Sequence, residues 1–168
     1  MIDNTMAAPR LRRKRCRLLM LLAAVVLSGS PLRTGATATE YIVVDRNTGL
    51  GISGFDPVAY FVERAPILGS GEFEYAWDGA VWRFKNEGNR GAFAANPEVY
   101  APRFGGYDPV RITRGVAVAG DPRLWCVSGE RLYLFYTPET RDAFLQDAEG
   151  IAASADANWP SVQLTLSP

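Results

Sequence analysis

Alternating apolar and polar positions predict a β-hairpin in the middle of the chain. Residues 73–77 read Phe-Glu-Tyr-Ala-Trp, so aromatic side chains alternate with charged or small ones, which is the period of a strand with one buried face. The Asp78-Gly79 pair that follows is a hairpin turn signal, because glycine accepts a positive φ without a steric penalty. Trp82 and Phe84 continue the alternation on the return strand.

Short helices are predicted after this hairpin. Asn86 or Asn89 is suited to cap a helix that reaches toward Ala95 with Phe93 facing inward, since asparagine side chains accept bonds from first-turn amides. Asn96-Pro97-Glu98 then combines a cap, a first-turn proline and an acidic second position. This order predicts that another helical turn starts there.

A second hairpin and a longer helix are predicted in the last third of the chain. Residues 124–127 and 131–136 are the two strands, and Ser128-Gly129 lies between them. Thr137-Pro138-Glu139 predicts the helix start. One apolar face at helical spacing consists of Phe144, Leu145, Ala148, Ile151 and Ala152. Residues 155–160 are predicted to end this region, with Trp159 closing the core.

The two hairpin regions are related by an internal repeat. Gly54-Phe55-Asp56-Pro57-Val58 is echoed by Gly106-Tyr107-Asp108-Pro109-Val110, an offset of 52 residues from Asp56 to Asp108. Further matches in the same order, at offsets of 50 and 51, relate Gly79 to Gly129 and residues 90–93 to residues 141–144. A hairpin plus a helix is too small to bury its own apolar face, so the two units should pack on each other. The predicted fold is therefore α+β, with two hairpin-plus-helix units related by a pseudo-twofold axis.

These patterns divide the chain into four parts, of which residues 1–38 are the first. Its 168 residues are 48% apolar, which suffices for one domain with a substantial core. Residues 39–51 are predicted to form an N-terminal strand and turn. Residues 52–162 form the domain, in units 54–105 and 106–160, and residues 163–168 form a tail.

Residues 1–38 have the pattern of an export signal. A cationic cluster over residues 10–17 precedes an apolar run of ten residues from Leu18 to Leu27, too short for a membrane-spanning helix, which needs ~20 residues. Ala36-Thr37-Ala38 then supplies the small-x-small pattern of a signal-peptidase site. We expect an exported, periplasmic or secreted protein without a stable membrane span after cleavage; an uncleaved anchor is the alternative.

Residues 39–168, without the predicted leader, differ from the whole chain in net charge and in the number of cysteines. Residues 39–168 carry 11 basic and 17 acidic side chains, a net of −6, although the whole chain has a formal net charge of +0. An acidic domain without a basic stripe argues against nucleic-acid binding. Cys126 is the one cysteine after residue 38 and the chain contains no histidine, so an internal disulfide in the mature chain is excluded.

The repeated motif and the segment before its second copy resemble the YHS-domain family, specifically its exported members. The resemblance rests on residues 54–61, which read Gly-Phe-Asp-Pro-Val-Ala-Tyr-Phe, on residues 96–107, which end in Phe-Gly-Gly-Tyr, on residues 129–134 and on Trp159-Pro160. It covers roughly residues 52–162. Such domains occur in copper-transporting ATPases and some multicomponent oxygenases, so the resemblance implies metal binding, usually through cysteines. Many exported members carry cysteine directly after Gly-Gly-Tyr, where this chain has Asp108.

The ligand types in the chain argue against a tight copper or zinc site within one polypeptide. Soft and borderline metals favour thiolate, thioether or imidazole ligands, and the mature chain offers Cys126 alone. We therefore predict no cofactor. The alternative is a copper or zinc protein that uses Asp108 and Cys126, with a second chain of an oligomer completing the sphere. Otherwise Cys126 is a small buried apolar residue.

The absence of histidine also removes the commonest general base near neutral pH. A carboxylate-based enzyme remains an alternative, because the pseudo-symmetry would let Asp56 and Asp108 meet at the seam between the units. The plainer interpretation is that each aspartate forms the turn before its proline. Aromatic side chains near these positions suggest a ligand cleft formed by Asp56, Tyr60, Tyr107 and Asp108. The leading hypothesis is a non-enzymatic exported YHS-type domain with a degenerate metal site, which binds an unknown protein or small ligand outside the cytoplasm.

Overall fold

The computed structural model describes residues 42–166. The predicted leader, residues 1–38, lies outside this range, as do residues 39–41 and the last two residues of the predicted tail. The strands are β1 (Ser70–Trp77), β2 (Ala80–Phe84), β3 (Asp121–Ser128) and β4 (Arg131–Phe135). The helices are α1 (Ala59–Val62), α2 (Glu87–Ala95), α3 (Pro97–Tyr100), α4 (Pro109–Ile112), α5 (Pro138–Gln146) and α6 (Ala148–Gln163). Short 3₁₀ turns lie at Ile52–Gly54 and Arg103–Gly106.

Two antiparallel hairpins, each followed by helices, confirm the α+β fold. β1 pairs with β2 and β3 pairs with β4. Both hairpins contain a register shift, between Ser70 and Glu74 in the first and between Asp121 and Trp125 in the second. Strands, register shifts and the helices α2 and α5 all recur at an offset of 51 residues. The repeat in the sequence therefore corresponds to a repeat in three dimensions.

Strand β4 is buried on both of its faces. Leu132 and Leu134 pack in an apolar cluster with side chains of the first unit, including Trp82 and Phe93. Tyr133 and Phe135, on the opposite face, pack in a second cluster with Phe104, Phe144 and Trp159 among others. Both faces are covered, so the strand carries the run Leu-Tyr-Leu-Phe without alternation.

The predicted side-chain caps at Asn86 and Thr137 are confirmed, whereas Asn96, at the start of α3, makes no side-chain cap hydrogen bond. The Asn86 side chain accepts a hydrogen bond of 2.8 Å from the backbone N–H of Asn89 at the start of α2. Thr137 caps α5, and the side chains of Thr137 and Thr140 each accept from the other's backbone N–H at 3.3 Å. These reciprocal bonds satisfy amides that have no partner inside the helix.

The predicted continuous apolar helix from Phe144 to Ala152 was wrong, because the chain bends at Asp147. Asp147 has φ −148° and ψ 66°, and its side chain accepts from the N–H of Gly150 to start α6. Leu145 is consequently 57% exposed rather than part of a buried face. Residues 155–160 do not end the helical region but lie inside α6. Trp159 is buried in the second cluster, as predicted.

In the described part of the predicted N-terminal strand and turn, residues 42–51, no strand is formed, and isolated bridges pair Val44 with Gly51 and Leu50 with Val81. The predicted turn is present, since the Asp45 carboxylate accepts from the N–H groups of Asn47 and Thr48, both at 2.9 Å. The segment is attached to the domain through the N–H of Val43, which donates to the carbonyl of Gly105 at 2.8 Å. Within residues 42–166 no helix has the length and apolar character needed to cross a membrane.

Substitutions of two glycines are predicted to have opposite effects on stability, because only Gly69, just before β1, lies against neighbouring backbone. A Cβ at Gly69 would lie 2.4 Å from the backbone carbon of Arg83, whereas a Cβ at Gly91, inside α2, meets nothing within 4 Å. We expect Gly69→Ala to lower the free energy of unfolding by about 1–3 kcal/mol through overpacking. Gly91→Ala should raise it by about 0.5–1 kcal/mol, because alanine favours the helix. Urea unfolding, followed by tryptophan fluorescence, measures both free energies. A Gly69→Ala protein as stable as the wild type would contradict the close contact with the backbone of Arg83.

Candidate functional site

Asp56 is fully buried and joins three segments of the first unit. Its Oδ1 accepts from the N–H groups of Val58 and Ala59 at 2.8 and 3.3 Å. Its Oδ2 accepts from the N–H of Lys85 at 2.9 Å and from the side-chain amide of Asn89 at 2.6 Å. The carboxylate thus starts α1 and ties it to the end of β2 and to α2.

Asp108 repeats this arrangement in the second unit. Its Oδ1 accepts from the N–H groups of Val110 and Arg111 at 2.8 and 3.3 Å. Its Oδ2 accepts from the N–H of Tyr136 at 2.8 Å and from the hydroxyl of Thr140 at 2.6 Å. The side chain is fully buried, and all four bonds are made to residues of its own unit.

The turn-forming role of the two aspartates is therefore what the structure shows. Both oxygens of each carboxylate are occupied by donors, and Asp56 and Asp108 bond to different units rather than to each other. Each carboxylate is thus engaged by donors of its own unit. The same bonds leave Asp108 without a side-chain oxygen facing solvent for a metal.

Tyr60 links the two units instead of lining an open cleft. It is fully buried, and its hydroxyl donates to the carbonyl of Pro122 at 2.9 Å. Its ring meets Trp125 edge-on, with the centroids 5.2 Å apart. Burial raises the pKa of the Tyr60 hydroxyl well above its ordinary value, so the group stays a neutral donor.

A half-open surface cavity of about 470 Å³ lies beside Tyr107. Its lining residues come from the N-terminal segment, the loop before β3 and the turn after α6: Ile42, Val43, Val44, Arg46, Tyr107, Ala117, Ala119 and Leu166. The predicted cleft is thus corrected. Tyr107 lines this cavity, whereas Asp56, Tyr60 and Asp108 are not among its lining residues.

Electrostatics in the cavity are governed by Arg46 and Tyr107. Within the described range, Arg46 is the charged side chain on the cavity wall. Burial raises the pKa of the Tyr107 hydroxyl, while the positive charge of Arg46 acts in the opposite direction. Tyr107 is consequently neutral at physiological pH, and the wall carries a net positive charge.

Cys126 is half-buried on β3, where it is the cross-strand partner of Tyr133 and packs against the second apolar cluster. Burial raises the pKa of its thiol from 9.0 to about 11, and the charge of Arg141 opposes that rise. In the stretch from residue 42 to residue 166, no three His, Cys, Asp or Glu side chains are grouped as metal ligands. Asp108 and Cys126, with one carboxylate saturated and one thiol protonated, do not fit the metal site that the family resemblance implies.

The raised thiol pKa predicts slow alkylation of Cys126. Only the thiolate reacts, so a pKa near 11 in place of 9.0 lowers the reactive fraction at pH 8 by about 100-fold. Iodoacetamide should label Cys126 far faster in urea than in the folded protein. Between pH 9 and 11 the alkylation rate of the folded protein should still rise, whereas the rate for the unfolded chain should level off.

Arg141→Gln provides the matched variant for this measurement. Loss of the guanidinium removes a charge that stabilises the thiolate, so the folded variant should be labelled more slowly than the wild type. Peptide mass spectrometry identifies the labelled residue. Equal labelling rates for Cys126 in the folded and unfolded protein would contradict its burial.

Sequence reasoning missed most of the cavity. Arg46 and Leu166 are 120 positions apart, and only the tertiary fold brings both ends of the domain to one wall. The hydrogen bond from Val43 to Gly105 that holds the first end in place involves backbone atoms alone, so no residue type signals it. Comparison of this chain with models of protein families, with curated proteins and with solved structures gives no match.

Proposed function

We propose that this protein is an exported, non-enzymatic YHS-type domain that binds a small ligand in the cavity beside Tyr107. The observation that carries the proposal is the cavity itself, whose volume of about 470 Å³ lies in the range of small-molecule sites, roughly 300–1,000 Å³. Apolar side chains make up most of its wall, and a few polar groups add orientation. This composition is typical of ligand pockets.

The state of the reactive side chains supports binding rather than catalysis. Both carboxylate oxygens of Asp56 and of Asp108 accept hydrogen bonds within the domain, and the Cys126 thiol is protonated. A general base or nucleophile needs a free, accessible atom within reach of substrate. None of these three groups meets that requirement.

The neutral dye Nile red tests the binding function. We expect the purified protein to bind one dye molecule, detected as a blue-shifted emission. Ala119 is an exposed residue of the cavity wall, so Ala119→Trp should fill the space and weaken binding at least tenfold.

Ala76→Trp is the matched control, because it adds the same side chain at an exposed position of β1 away from the cavity wall. It should bind the dye as the wild type does. Failure of the wild type to bind the dye, or undiminished binding by Ala119→Trp, would contradict the proposed function.

Export is supported by the basic and apolar pattern of residues 1–38. Fusion to a reporter enzyme that is active only outside the cytoplasm tests it. The full chain should give an active fusion, and removal of residues 1–38 should abolish the activity. Activity of the truncated fusion would count against the leader.

A further inference from the structure

The wall of the cavity is apolar over most of its area and basic at one position. The apolar lining consists of Ile42, Val43, Val44, Ala117, Ala119 and Leu166. Arg46 adds a guanidinium and Tyr107 a phenol ring. A ligand that matches both parts has an apolar body and a single anionic group.

Arg46 is not neutralised by a carboxylate of the domain. The ion pairs formed within residues 42–166 involve other arginines and Lys85. Its sequence neighbour Asp45 directs Oδ1 to the N–H groups of Asn47 and Thr48 and to the Thr48 hydroxyl. The guanidinium can therefore donate to a ligand without first breaking an ion pair in this part of the protein.

The remaining polar wall does not repel an anion. The Tyr107 hydroxyl is neutral at physiological pH, and neither Asp56 nor Asp108 is among the lining residues. A guanidinium also presents two parallel N–H donors that match the two oxygens of a carboxylate. Charge and shape at Arg46 thus favour a carboxylate over a cation or a neutral head group.

Building on the binding function proposed above, we propose that the cavity takes small organic anions with one carboxylate on an apolar body. The carboxylate pairs with Arg46, and the apolar part lies against the apolar lining residues of the cavity.

Three probes of equal chain length, octanoate, octan-1-ol and octylamine, test the proposal by isothermal titration calorimetry. We expect octanoate to bind the purified protein at least tenfold more tightly than octan-1-ol, and octylamine to bind most weakly. The preference should shrink between 0.05 and 0.5 M NaCl, since an exposed ion pair is screened by salt.

Arg46→Gln should remove the preference for octanoate and leave the affinity for octan-1-ol unchanged. Arg64→Gln, which removes an exposed arginine away from the cavity wall, is the matched control and should retain the preference. Ala119→Trp should weaken binding of both probes.

Equal affinities for octanoate and octan-1-ol would overturn the anion preference while leaving the proposed binding function intact. A preference that survives in Arg46→Gln would overturn the role of Arg46. Absence of binding by all three probes and by Nile red would instead overturn the binding function itself, so the two failures are distinguishable.

Discussion

Asp108→Ala is expected to lower the free energy of unfolding by about 3–5 kcal/mol. The fully buried carboxylate accepts four hydrogen bonds, among them those from the N–H of Tyr136 and the hydroxyl of Thr140. Each buried donor left without a partner costs about 1–3 kcal/mol. Urea unfolding followed by tryptophan fluorescence measures the loss.

Asp45→Ala is the matched control for this prediction. Asp45 also accepts three hydrogen bonds inside a turn, but the turn is exposed. Water replaces the lost acceptor there, so the effect should be far smaller than at Asp108. If the Asp108→Ala protein does not fold, Asp108→Asn preserves the shape and removes one acceptor oxygen, and it should fall between the two. A loss at Asp108 no larger than at Asp45 would contradict the proposed role of the buried carboxylate.

Phe93→Ala is expected to cost about 3–5 kcal/mol, the range for removing a buried phenylalanine. Phe93 is fully buried on α2, and its ring centroid lies 5.1 to 6.2 Å from four other aromatic rings. Those rings belong to Tyr75, Trp77, Trp82 and Phe84. A cavity among flat side chains from two strands closes poorly, because the hairpin fixes their positions.

Phe144 is the equivalent residue of the second unit and makes a matched comparison. Its ring meets two aromatic partners, Tyr133 and Phe135, at 4.7 and 5.2 Å. Leucine keeps most of the apolar area but removes the ring contacts, each worth about 0.5–1.5 kcal/mol. Phe93→Leu should therefore destabilise more than Phe144→Leu, by about 1 kcal/mol or more. If urea unfolding shows equal losses of unfolding free energy for the two variants, the two additional ring contacts of Phe93 contribute nothing to stability.

Both substitutions change a structural feature that occurs once in each unit. The Asp-Pro motif near the start of each unit joins a short helix, the end of a hairpin and the following helix through one buried carboxylate. Its donors Lys85 and Asn89 in the first unit correspond to Tyr136 and Thr140 in the second. Amide and hydroxyl side chains play the same part here because either can donate to Oδ2. The motif thus repeats for reasons of folding.

Local patterns in the chain were enough to determine the hairpins, the helix caps and the repeat. Alternation over residues 73–77, the turn at Asp78-Gly79 and the cap at Thr137 each depend on neighbours a few positions away. Such interactions are encoded by residue type and spacing. The bend at Asp147 escaped detection because the apolar residues before it, Phe144 and Leu145, and those after it, Ala148 and Ile151, share one helical period.

Only the tertiary structure decided which face of each element is buried and where a ligand has room. β4 lies between two clusters, so both of its faces are apolar. Its pattern alone does not distinguish a strand buried on both faces from a helix segment. Residues 42–44 and Arg46 line the cavity together with Leu166. A hydrogen bond from the N–H of Val43 to the carbonyl of Gly105 holds the first of these segments against the domain. Contacts between distant residues are set by the packing of the whole core, and no spacing along the chain records them.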